Sequence, residues 1–414
     1  MSKINQLLDT QQSTVRTIFV SSYSPRKCGL ATFTKDLTYA LNDLNSESLA
    51  EIIAINDGEA ELIYPWEVKY KIHQDKFDSY YQAAEYVNQS SADVVCLQHE
   101  YGLFGGEAGE YIFAFLRNIN KPIVTIFHTI LAKPSDSQRT TLQRLGEISS
   151  SVVAMIPDAK ARLEKDYNID RDKVVVIHHG VSDLDRSSNG KKVTSRWKNR
   201  PVMLISGLIS MNKGIEYAIK SLPKIKKKFP DILLVIAGQT HPEILKREKE
   251  KYRSSLSKLA KSLGVENNVQ FINKYLPLKT LLMLYRDCDI YLTPHIDKEQ
   301  ITSGTLAYAL GMGKACISTQ YPYAKEILCG NRGLLVDFKN ADQIAKAVIK
   351  ILKNPALKTE LEENAYALGK RMRWPRVAER YLNLFRYVSV QNIKKEKRKI
   401  QYEKNRIKTL KLSD

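Results

Sequence analysis

Short runs of valine, isoleucine and leucine alternate with longer amphipathic stretches along most of the chain, which is the pattern of parallel β-α units. The runs VRTIFVSSY, AEIIAIN, VKYKI, ADVVCLQHE, KPIVTIFHT, SVVAMI and KVVVIHHG predict strands, and helical stretches such as ATFTKDLTYALNDL, QAAEYVNQ and the segment around Tyr111 to Leu116 lie between most of them. The polar stretch SDLDRSSNGKKVTSRWKNRP then interrupts the pattern. It restarts with PVMLISGLI, the helix KGIEYAIKSLPKIKKKF, DILLVIAGQ, one long charged helix, NVQFINKYL and the short helix LKTLLMLYRD. The stretch DIYLTPHIDKEQITSGTLAYALGMGKACISTQYPYAKEILCGNRGLLV follows as strand, polar loop, small-residue helix, strand and turn. Past Asp337 the pattern is helical throughout, closing with WPRVAERYLNLFRYV, whose apolar stripe of Trp374, Val377, Tyr381, Leu382, Leu384, Phe385 and Val388 must be buried somewhere.

These periods predict an α/β protein of two doubly wound parallel sheets. The first domain spans residues 1–184, a linker 185–200 and the second domain 201–372; a helix at 373–390 and a basic tail at 391–414 complete the chain. A length of 414 residues with 43% hydrophobic positions suffices for two cores of ordinary size. No run approaches the roughly 20 apolar residues of a membrane span, and the amino terminus lacks a signal-peptide core, so a cytoplasmic protein is expected. The cysteines, Cys28, Cys96, Cys288, Cys316 and Cys329, show no CxxC spacing, which favours reduced thiols over disulfides or zinc.

The formal charge of +19 raises nucleic acid or anionic lipid as partners. Its lysine-rich stretches, 224–229, 246–253 and the tail from Lys394, read first as solvated helix faces. They lack the interleaved aromatics that single strands require, so no nucleic acid is expected; peripheral contact of the tail with an anionic membrane is the functional alternative.

In open parallel sheets ligands bind beyond the carboxyl ends of the strands. Those ends are polar here. The first strand runs into SPRKCGLATFT, where Arg26, Lys27 and Gly29 open a helix. The fourth ends in Gln98-His99-Glu100, the fifth in His128-Thr129 and the seventh in His178-His179-Gly180. In the second domain Gly207 ends the first strand, and Lys213-Gly214 opens the next helix, from where a lysine can reach a diphosphate. Ser303-Gly304-Thr305 starts the small-residue helix, either as an anion seat or as an ordinary capped connection. There is no P-loop and no GxGxxG with a downstream acid, which argues against a dinucleotide redox cofactor. Of the DxD triplets, Asp287-Cys288-Asp289 precedes its strand and Asp183-Leu184-Asp185 lies in the linker stretch, so neither of these is expected to hold a metal.

The stretches SPRKCGLATFT and QITSGTLAYALGMGKACIST, the lysine-glycine helix start and the final tryptophan-containing helix resemble retaining glycosyltransferases of the GT-B fold, family 4, over nearly the whole chain. The resemblance implies two Rossmann-like domains facing across a cleft, the nucleotide-diphosphate sugar, UDP- or GDP-linked, lying chiefly on the second. No other cofactor and no metal is implied. Carried over by position, Lys213 is the diphosphate-binding lysine, and His128 contacts the donor sugar or its phosphate. The family's two glutamates fall on Gln300 and Tyr308, with Glu299 able to serve for the first, and a further family glutamate falls on Glu326. Leu208 stands where a basic residue is common. Donor contacts are thus expected from Gly29, Gly207, Gln300, Thr302, Ser303, Gly304, Thr305, Tyr308 and Glu326, and catalytic roles for His128, Lys213 and Glu299. Acceptor contacts are expected from Arg26, Lys27, His99 and Glu100, the acceptor being a glycan, a lipid-linked molecule or a small molecule. In that fold the final helix returns to the first domain and can serve as a hinge. The rivals are a sugar phosphorylase or epimerase of the same fold, and a non-catalytic sugar-nucleotide-binding protein.

Overall fold

The computed structural model describes residues 14–58, 62–182, 197 and 200–410. One compact unit comprises the residues up to His178 together with those from Pro375 onward; the other runs from His179 to Trp374. Most of the expected linker, and with it the triplet Asp183-Leu184-Asp185, lies outside the described residues.

The first unit holds a seven-stranded sheet built from β1 (Thr17–Ser21), β2 (Glu51–Asn56), β3 (Val68–His73), β4 (Val94–His99), β5 (Ile123–Phe127), β6 (Ser151–Ala154) and β7 (Val174–Val176). Its order is β3-β2-β1-β4-β5-β6-β7, every pairing being parallel. β1, β4 and β5 are buried at every position, so both faces of the sheet are covered, and this is why they read as unbroken apolar runs. The last helix, Trp374–Leu410, contributes to that cover: Phe385 sets its ring edge against Phe19 of β1 at 5.9 Å, and Tyr381, Leu382 and Val388 are buried. The helix continues through the basic tail as far as Leu410.

The second unit holds six parallel strands, β8 (Val202–Ser206), β9 (Leu233–Ala237), β10 (Val269–Ile272), β11 (Ile290–Thr293), β12 (Ala315–Thr319) and β13 (Gly333–Val336), in the order β10-β9-β8-β11-β12-β13. Its core gathers Ile205, Ile219, Leu234, Leu292, Ile317, Val348 and their neighbours. The single charged helix expected after β9 is two, Pro242–Glu248 and Lys251–Ser262, because Lys249 takes a left-handed backbone with φ 53°. The break lets Arg253 turn inward, where its guanidinium donates to the Gly238 carbonyl at 2.9 Å and to Glu250 at 3.1 Å.

In each sheet the chain winds outward in both directions from a central pair, β1 beside β4 and β8 beside β11. At such a switch point the two following loops diverge and leave a crevice at the carboxyl edge.

Candidate functional site

In the second unit the switch point is lined by the turn after β8 and the loop after β11. Gly207 leaves β8 with φ +109°, and Gly214, φ +60°, brings the backbone so close to Pro294 that a Cβ there would meet its carbonyl oxygen at 2.1 Å. The Ile296 amide donates to the Asn212 carbonyl at 2.9 Å, tying the two loops together. Lys213 is thereby aimed back over β8. A Cβ built on Gly207 would sit 4.0 Å from the Lys213 Nζ and 3.2 Å from the Thr305 methyl, so lysine, glycine turn and helix start converge.

The helix Gly304–Gly311 begins at this point, capped by Ser303, whose Oγ accepts from the Leu306 amide at 3.4 Å. The remaining first-turn amides and the positive end of the helix dipole favour an anion. Lys213 is half-buried, and the protein atoms crowding its ammonium lower its pKa from 10.5 to about 8. A charge kept in a poorly solvated place is set to gain from an anionic ligand.

The ammonium has a partner that the sequence reading passed over. His295, two residues past β11, lies with Nε2 3.3 Å from Lys213 Nζ and Nδ1 2.8 Å from Gln300 Oε1, its ring stacked on Tyr321 at 5.2 Å. Burial, with Lys213 adding to it, holds this imidazole neutral. Gln300 also donates from Nε2 to the Thr302 carbonyl at 2.8 Å, so its amide is a brace within the loop. Glu299, half-buried beside it, receives its own turn from the Asp297 carboxylate, which accepts from the Glu299 amide at 2.9 Å.

Other expected residues are placed differently. Tyr308 is buried, with its ring edge against His179 at 5.9 Å. A Cβ on Gly304 would stand 3.0 Å from His179 Nε2, so this histidine packs against the helix start; burial lowers its pKa to about 4. Glu326 is half-buried on the helix Pro322–Leu328, between β12 and β13. The triplet Asp287-Cys288-Asp289 serves the opposite edge of the sheet: the Asp289 carboxylate accepts from the Val202 amide at 2.9 Å and pairs with Lys358 at 3.0 Å. Among the described residues no group of three or more histidine, cysteine, aspartate or glutamate side chains is arranged to hold a metal ion.

In the first unit the helix Gly29–Leu44 starts at the β1/β4 switch point, with the Cys28 Sγ accepting from the Ala31 amide. Gly29 and Lys27 are exposed there, and nothing stands within 4 Å of a Cβ on Gly29. Arg26 is pulled aside, paired with Asp57 at 3.2 Å and donating to the Ile55 carbonyl at 3.1 Å and to Gln74 at 3.3 Å. His128 is buried at the end of β5, Nε2 donating to Gln98 Oε1 at 2.6 Å, with Phe33 edge-on at 4.9 Å. Glu100 accepts from Thr129 at 2.6 Å and from the Tyr101 amide at 3.0 Å, and burial raises its pKa. His99, expected to touch an acceptor, has no exposed surface here and is walled in by Tyr101, Phe104 and Phe127, and burial lowers its pKa to about 3. Position at a strand's carboxyl end does not decide which way a side chain turns.

Residues 188–368 match the family described as Glycosyl transferases group 1. An uncharacterized glycosyltransferase of Methanocaldococcus jannaschii is 23% identical over 292 residues, 66% of this chain and 70% of that protein. A phosphatidyl-myo-inositol mannosyltransferase of Mycolicibacterium smegmatis is 25% identical over 198 residues, 48% of this chain and only 47% of its own length. Among solved structures, a glycosyltransferase from Rickettsia africae superposes with a TM-score of 0.70 at 20% identity, covering 91% of this chain and 99% of the other. Anabaena HepE, crystallised with UDP, superposes with a TM-score of 0.71 at 14% identity, covering 90% and 100%.

Proposed function

We propose that this chain, of GT-B fold and matching the family Glycosyl transferases group 1 over residues 188–368, transfers a hexose from a nucleotide-diphosphate sugar to a hydroxyl acceptor with retention of anomeric configuration. The observation that carries this reading is the convergence of the Lys213 ammonium, the Gly207 turn and the Ser303-Gly304-Thr305 helix start at one switch point of the second unit. Each element of it attracts negative charge, and a leaving diphosphate is where negative charge grows as the sugar departs.

In the step we assign, the bond from the anomeric carbon to the diphosphate oxygen breaks and the acceptor oxygen bonds to the same carbon on the same face. The acceptor's proton passes to the departing phosphate oxygen, so no dedicated general base is required. Lys213 and the helix start stabilise the diphosphate through charge placed in advance, a term typically worth about 3 kcal/mol per donor group. His128, oriented by Gln98, is assigned to the transferred sugar. With fixed positive groups in this role, transfer is taken to be metal-independent.

UDP and GDP are the candidate donor nucleotides. HepE was solved with UDP-glucose, and a GDP-mannose-dependent phosphatidylinositol monomannoside mannosyltransferase is among the relatives. A lipid-linked acceptor therefore stands beside glycans and small molecules. The basic tail, with nine basic and three acidic residues from Lys394 to Asp414, suits contact with an anionic bilayer from the cytoplasmic side. None of the described helices is long and apolar enough to cross a membrane. The test is a panel of UDP- and GDP-sugars scored for transfer and for slow donor hydrolysis: turnover of one donor with the α-linked product from an α-linked donor supports the reading, and inversion or inertness to every donor overturns it.

A further inference from the structure

We propose that His295 is a positioning residue for Lys213, held by Gln300 as the neutral tautomer that carries its proton on Nδ1, so that Nε2 fixes the Lys213 ammonium over the Gly207 turn. This rests on the reading of the second unit as the donor-binding unit. It assigns a role to a histidine that the sequence motifs do not single out, and a reason for glutamine at position 300.

The polarity of the whole chain of hydrogen bonds follows from one fixed end. The Gln300 Nε2 donates to the Thr302 carbonyl at 2.8 Å, which only the amide nitrogen can do. Its Oε1 therefore faces His295, 2.8 Å from Nδ1, and must accept. Nδ1 then carries the ring proton, Nε2 presents a lone pair, and Lys213, 3.3 Å away, donates to it. Stacking on Tyr321, at 5.2 Å and 15° between the planes, together with Thr319 Oγ1 donating to the His295 carbonyl at 2.6 Å, denies the ring other orientations. An ammonium on a long flexible stem is thus held at one place before any ligand arrives, which lowers the ordering cost of binding.

A glutamate at 300 would reverse the logic. Its carboxylate would favour an imidazolium, and a second cation would then stand 3.3 Å from Lys213. Glutamine supplies the same acceptor geometry without that charge. Around the pair, Tyr321, from the start of the next helix, offers a ring face, and His241, beyond β9 and capping the helix that carries Glu243, has its pKa lowered by burial and is within electrostatic reach of Lys213. On the loop itself Asp297 is engaged with the Glu299 amide, and Lys298 lies over the Phe338 ring.

The experiment titrates UDP and GDP calorimetrically into wild type, Gln300→Glu and His295→Phe between pH 6 and pH 9, with melting temperatures recorded alongside. Phenylalanine keeps the stack on Tyr321 and removes the acceptor. For Gln300→Glu the expected result is binding weakened at least tenfold at pH 6 and restored to within threefold at pH 8, where the imidazolium has lost its proton. For His295→Phe it is a loss of about tenfold at every pH, absent when Lys213→Met is already in place. Wild-type affinity and pH profile in Gln300→Glu, or an equal loss at all pH values, would overturn the positioning role while leaving the donor reading intact. A wild type that binds neither nucleotide would overturn the donor reading itself. If His295→Phe does not fold, the Gln300→Glu profile decides alone.

Discussion

Replacing Lys213 by methionine should stabilise the unliganded protein while disabling it. The ordinary lysine pKa of 10.5 is lowered to about 8 in the fold by crowding of the ammonium. At about 1.4 kcal/mol per tenfold change in proton affinity, that displacement corresponds to roughly 3 kcal/mol of cost for keeping the group charged. Between pH 8 and 10.5 the unfolded chain binds a proton that the folded one does not, so stability rises with pH across this window. Wild type has its full stability above 10.5, loses it as pH falls through 8, and carries the whole deficit at pH 7. Methionine removes the charge and keeps the stem, but leaves His295 Nε2 without its donor, which returns about 1 kcal/mol. The net gain at pH 7 is about 2 kcal/mol, or roughly 4–8 °C in Tm for a unit of this size. It should shrink to nothing or reverse by pH 10.5. Turnover should fall at least a hundredfold, and the rise in Tm produced by saturating UDP or GDP should be lost. Denaturant unfolding at pH 7 and 10, with kcat/KM on the best donor, measures all three. A variant no more stable than wild type at pH 7, or more stable by the same amount at both pH values, would refute the reasoning.

Further outcomes follow from the same geometry. In wild type, kcat/KM for the donor should decline above about pH 8 as free Lys213 loses its proton, and a flat profile to pH 9.5 would contradict that. Gly207→Ala should cut donor turnover more than tenfold, because φ +109° strains any side chain and the new methyl would press on Thr305 at 3.2 Å; unchanged kinetics would show that the turn plays no part. Transfer should persist in excess EDTA, and loss restored by magnesium or manganese would place a metal in the reaction. Stopping the chain after Val390 should leave turnover on a soluble acceptor intact and weaken binding to anionic vesicles, whereas stopping before Trp374 should strip Tyr381, Phe385 and Val388 from the first unit's core and cost solubility. Full vesicle binding by the longer form would dismiss the tail's membrane role, and a soluble, active shorter form would dismiss the structural role of the helix.

Most strands of the two sheets fall on the apolar runs expected of them, β1, β4 and β5 because a parallel strand covered on both faces has no polar side to show, whereas β13 falls where a turn was expected. The signal of such a covered strand is local in sequence. Lys213 and the Ser303 cap are legible for the same reason, since a glycine turn, a helix start and a cap are each defined by a few adjacent residues. What tertiary structure decided depends on partners distant in the chain. Lys249 breaks the charged helix so that Arg253 can reach the end of β9. His99 stands in register with Phe127, one residue before His128, and aromatic rings from the following segment enclose it, while His128 pairs with Gln98. His295 reads as one more polar residue in a loop until the turn after β8, 82 positions earlier, sets Lys213 against it. Local period and capping are written in neighbouring residues, whereas the direction of a side chain and the charge state of its neighbour arise only when separate strands deliver their ends to the same switch point.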